Sequence, residues 1–87
     1  MTPHANRIAR LALSTIEGDE TITGFAVDVV PFNDERSAPV MVALTLRRRI
    51  PHGGERSIRK AWSDAEIAAS STEILVYAIG TILEQLK

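Results

Sequence analysis

From Val40 to Ile50 the side chains alternate, with Val40, Val42, Leu44 and Leu46 on one side and Met41, Ala43, Thr45, Arg47 and Arg49 on the other. A period of two is the signature of a β-strand with one buried face. That face has to be covered, because a single sheet exposing a row of valine and leucine does not hold together in water. The rest of the chain must therefore supply further strands and a covering layer.

Two neighbouring segments read as the further strands. Thr21 to Val30 is rich in β-branched and aromatic residues, with Phe25, Val27 and Val29 on its apolar side, and Pro31 closes it. Pro31 to Pro39 reads as a loop. After Ile50 the chain turns through Pro51-His52-Gly53-Gly54, where glycine supplies the positive φ of a tight hairpin, and Arg56 to Ala61 returns as a third strand. A three-residue turn would set Leu44 opposite Trp62, Arg48 opposite Ile58 and Arg47 opposite Arg59.

The covering layer is helical. Residues 3 to 16 repeat apolar positions at Ala5, Ile8, Ala9, Ala12 and Ile16, with Pro3 suited to a first turn and Gly18 just past the end. At the other end Ser63 and Glu66 stand at the spacing of a capping box, and Asp64 adds negative charge where the helix dipole favours it. From there one long helix is expected to run to about Leu86, with Ile67, Ile74, Leu75, Ala78, Ile82, Leu83 and Leu86 turned inward. The predicted architecture is a single two-layer α+β domain, residues 1–87, in the order αβββα, with both helices on one face of a three-stranded antiparallel sheet.

At 87 residues such a domain buries only about 60 to 65% of its unfolded surface, so its stability is marginal. The chain has no cysteine, which removes disulfides, thiolate metal sites and thiol nucleophiles, and suits a reducing, cytoplasmic setting. No signal peptide is read at the amino terminus. The longest apolar stretch, Ile74 to Leu83, is well short of the roughly 20 residues that span a bilayer. A partner subunit is the remaining stabiliser. Val76, Tyr77, Ile79 and Leu83 extend the apolar surface of the last helix beyond one stripe, and Met41, with Ala26, Val30 and Ala43, lies on the outer sheet face. A homodimer through one of these surfaces is expected.

Six of the ten cationic residues, Arg47, Arg48, Arg49, Arg56, Arg59 and Lys60, cluster on the basic hairpin with Glu55 the only acid among them, in a chain of formal net charge -1. Such a focus points to an acidic macromolecule: the surface of another protein, or alternatively nucleic acid held without sequence readout. No aromatic residue is interleaved with the arginines to stack on bases. Asp28 and the acids of the loops, Glu17, Asp19, Glu20, Asp34 and Glu35, are the internal candidates for offsetting this charge.

The strand and helix order, with Gly53-Gly54 followed by Arg59-Lys60 ahead of the last helix, resembles the double-stranded-RNA-binding domain. The resemblance is one of order: that family carries its key lysines at the start of its second helix, where this chain has Ser63, Asp64 and Glu66.

Nothing in the sequence builds a catalytic constellation. His4 and His52 stand apart from any carboxylate or hydroxyl partner at a meaningful spacing, no Gly-x-Ser-x-Gly elbow is present, and the acidic pairs Asp19-Glu20 and Asp34-Glu35 fall in separate loops. No cofactor, metal or small-molecule substrate is expected. The sequence reads as a non-enzymatic interaction or regulatory module.

Overall fold

The computed structural model describes residues 3–31 and 40–86; the Pro31 to Pro39 loop, with Asp34 and Glu35, lies almost wholly outside them. Helix α1 (Pro3–Ile16) leads into strands β1 (Ile22–Pro31), β2 (Val40–Arg49) and β3 (Glu55–Ser63), followed by helices α2 (Asp64–Ala69) and α3 (Thr72–Gln85). The sheet is an antiparallel meander, β1-β2-β3, with β2 in the middle. All three helices stand on one face of it, as an α+β two-layer domain requires.

The core forms where the apolar face of β2 meets the helices. Val42, Leu44 and Leu46 join Trp62 of β3, Ala5, Ile8 and Ala12 of α1, Ile67 of α2, and Leu75, Ile79, Ile82 and Leu86 at the carboxyl end in one buried cluster. Phe25, Val27 and Ile58 pack against it half-buried, while Val29, assigned to the same face of β1, is 41% exposed. Ala43, on the opposite face of β2, is buried but stands outside this cluster.

The hairpin register differs from the expected one by two residues. Leu44 faces Lys60, Leu46 faces Ile58 and Val42 faces Trp62. The turn has three residues, as expected, but sits one position earlier, on Pro51, His52 and Gly53: Ile50 N–H donates to Gly54 O at 3.2 Å, Gly53 N–H donates to Ile50 O at 3.1 Å, and Gly53 and Gly54 both take positive φ, 91° and 87°. An even shift leaves every side chain on its predicted face, so hydrophobic pattern alone could not tell the two registers apart.

The carboxyl-terminal helix is two helices. Ser70 and Ser71 adopt extended backbone, and Ser71 Oγ accepts from Ile74 N at 3.2 Å as a fresh N-cap. Serine offers its own hydroxyl to nearby amides, and here that local bond wins over continuation of the helix. The break is held from outside by α1: Arg7 donates to Ile67 O at 2.8 Å and Ser70 O at 3.0 Å, and to Thr72 Oγ1 at 3.3 Å. Its guanidinium adds to the carbonyls where α2 stops, one of which, Ile67 O, also accepts from Ser70 N at 3.3 Å. Freed from α2, helix α3 lies along α1. The capping box at Ser63 forms as expected, with Glu66 N donating to Ser63 Oγ at 3.1 Å and Ser63 N donating to Glu66 Oε1 at 3.4 Å.

Candidate interaction surfaces

The six hairpin cations do not form one uniform patch. Arg48, on the helix side of β2, turns inward, and its Nη2 donates to Asp19 Oδ2 at 2.8 Å with the arginine side chain only 12% exposed. Asp19 is placed for this by its own turn. Gly18 ends α1 at φ 84°, and Asp19 Oδ1 accepts from Thr21 N at 3.0 Å and Thr21 Oγ1 at 2.5 Å. This is an Asx-turn, the local habit of aspartate that lets its side chain stand in for backbone. The Thr21 bonds, and then Arg48, hold the Asp19 carboxyl below its ordinary pKa.

The remaining cations stay on the outside. Arg47 and Arg59 are exposed on the helix-free face of the sheet, while Lys60, on the helix side, is also exposed, with Nζ 5.8 Å from the centre of the Trp62 ring. Arg49 and Glu55 are exposed and face each other across the ladder. Arg56 stands across from Arg48. The repulsive pair expected between Arg47 and Arg59 is absent: Arg47 faces Ser57, and Arg59 faces Thr45.

The helix-free face has its own relief. Gly24, Ala26, Asp28 and Val30 of β1 lie beside Arg47, Thr45, Ala43 and Met41 of β2, and Ser57, Arg59 and Ala61 complete it on β3. Small residues leave a shallow concavity lined by Gly24, Phe25, Ala26, Asp28, Thr45 and Arg47. The chain bulges between Ile22 and Gly24, and the stem of Arg47 lies over Gly24 so closely that a Cβ there would come within 3.1 Å of Arg47 Cδ. Asp28 does not neutralise Arg47: among the described residues no ion pair joins them.

Of the residues expected to associate, Ile79 is fully buried in the core and so is removed from the surface, and Leu83 is half-buried against the core. Met41 is half-buried on the helix-free face. The outward apolar side chains of α3 are Tyr77, 78% exposed, Val76, 38%, and Ile74, which was expected to face inward but is 59% exposed in the first turn after the break. Tyr77, Gly80, Thr81 and Glu84 line a shallow groove beside them, and a Cβ added to Gly80 would meet no atom within 4 Å. The periodicity had Val76 and Tyr77 turned away from the sheet, and they are; it had Ile79 with them because it could not foresee how α1 beds onto α3.

His52 is exposed at the hairpin tip and His4 lies in the first turn of α1. Among the described residues no three histidine or acidic side chains converge as a metal site would need. No described helix is long and apolar enough to cross a membrane. No family model, curated protein or solved structure matches this chain.

Proposed function

We propose that this protein is a non-enzymatic interaction module of the cytoplasm that associates with a second copy of itself and meets an acidic macromolecule, most favourably another protein, through the basic hairpin. The observation that carries this reading is the unequal treatment of the six cations. Arg48 is absorbed by Asp19, whereas Arg47, Arg49, Arg59 and Lys60 remain exposed and, among the described residues, without an ion-paired carboxylate. Exposed like charge raises the energy of the free protein and is relieved when an anionic surface displaces its counterions. The outward run of Ile74, Val76 and Tyr77, next to a glycine with no packing role inside the chain, supports self-association along α3.

The test is to replace Arg47, Arg49 and Arg59 together by serine and titrate both proteins with polyglutamate and with a short DNA duplex over a range of salt. The reading expects salt-sensitive binding of polyglutamate that the triple variant loses. Binding of the duplex in preference to polyglutamate would move the assignment to sequence-independent nucleic-acid binding, and equal binding by both proteins would remove the hairpin from either role.

A further inference from the structure

We infer that the free edge of β3 is a docking strand, on which an extended acidic segment of a partner protein adds antiparallel as a fourth strand. This rests on the proposal that the hairpin meets an acidic protein, and it specifies how.

The phase of the ladder identifies the groups available. Ile50 N–H donates across to Gly54 O in the same register that pairs β2 with β3, while Arg49 N–H turns the other way and donates to Thr21 O at 2.8 Å. Hydrogen-bonded and non-hydrogen-bonded pairs alternate along antiparallel strands. Arg56, Ile58, Lys60 and Trp62 therefore turn their backbone groups toward β2, and Glu55, Ser57, Arg59 and Ala61 turn theirs outward. Among the described residues these outward amides and carbonyls have no backbone partner. They repeat every second residue, about 7 Å apart, which is the spacing an incoming strand matches. The side chains leave the edge open, since from Glu55 to Ala61 every residue except Ile58 is exposed.

Charge selects the occupant. A second copy pairing antiparallel about Arg59 would set Arg59 against itself, and one shifted to take in Glu55 would set Arg56 against Lys60, each a like-charge pair of the kind that destabilises a ladder. Lysine and arginine on an edge commonly discourage such self-pairing. A strand with a carboxylate opposite Arg59 turns the same feature into attraction. Lys60 points to the other face of the sheet, so a second carboxylate directly preceding the first in the incoming strand would meet it. The favoured ligand is an extended segment with two consecutive acidic residues followed by an apolar one opposite Ile58.

The probe is an acetylated and amidated peptide, Thr-Glu-Glu-Val-Thr-Glu-Thr, followed by amide NMR of the full chain. Binding should shift the amide protons of Ser57, Arg59 and Ala61 and slow their exchange. Arg59→Glu should abolish it. Methylating the peptide nitrogens at its first, third and fifth residues should weaken binding by about tenfold or more, because backbone bonds are lost while every charge is kept. If the methylated peptide binds as well as its parent, the edge is not the docking strand, although contact with an acidic partner survives. If neither this peptide nor polyglutamate binds, both readings fall. Protection of the same three amides that appears with protein concentration alone would instead assign the edge to a second copy and overturn the inference.

Discussion

At the scale of single residues, Asp19 decides the most. It closes the turn after α1 and neutralises the one hairpin arginine that turns inward. Its carboxyl titrates below the ordinary value because the Thr21 hydroxyl and amide, and then Arg48, favour the charged form. A carboxyl with a lowered folded pKa contributes stability that is present above the unfolded pKa and is lost as pH falls through the folded one. Asp19→Asn is therefore expected to melt at a lower temperature than the wild type at pH 7, with the difference shrinking once pH drops below about 4. Thermal melts of both proteins across that range check it; a gap that stays constant down to pH 2 would show that Asp19 acts through the turn alone. Gly18 was legible in the sequence as a helix end, and Asp19 as one of five loop acids able to offset the hairpin's charge. That Asp19 would be the acid chosen and Arg48 its partner was not legible, because the pair joins residues 29 apart in the chain.

At the scale of elements, the break between α2 and α3 is set by a side chain from a different helix. Arg7 ties Ile67 O, Ser70 O and Thr72 Oγ1 together, and a lysine could not reach three acceptors in that arrangement. Arg7→Lys is expected to cost about 1.5 to 3 kcal/mol in urea unfolding, the usual range for bonds to a charged donor. The sequence did carry a signal for the break in Ser70-Ser71-Thr72, since three hydroxyl residues in a row invite capping. Apolar residues on either side at helical spacing masked it. Gly80 makes a sharper case within α3. With nothing near its missing Cβ, Gly80→Ala should stabilise the isolated chain by about 0.8 to 1 kcal/mol. If α3 is the self-association surface, the same change should weaken the dimer by crowding the groove beside Tyr77. Denaturation at low concentration and sedimentation at high concentration would report the two effects separately.

For the whole molecule, one thin core bears the fold. Leu44 lies fully buried at the middle of the central strand, and Leu44→Ala is expected to cost about 2 to 5 kcal/mol. Against a total of roughly 0.05 to 0.15 kcal/mol per residue, that loss leaves the chain near its unfolding limit. Association of a second copy would offset part of it by mass action. The variant's melting temperature should then rise with protein concentration, and a melting temperature independent of concentration would argue for a monomer.

Local chemistry determined much of this molecule. The alternation of β2, the capping box at Ser63, the glycines of the hairpin and the apolar stripe of α1 each follow from interactions among near neighbours, so they are readable in order along the chain and already imply helix, three strands and a helical end. Tertiary structure decided the rest. A shift of two residues in the β2–β3 register preserves every face and the length of the turn, so only the place of the turn and the fit of Trp62 beside Val42 could choose between registers. Likewise, whether a cation is neutralised or left exposed depends on which distant carboxylate the fold brings near it: Arg48 meets Asp19, while among the described residues Arg47 forms no ion pair with Asp28 of the neighbouring strand.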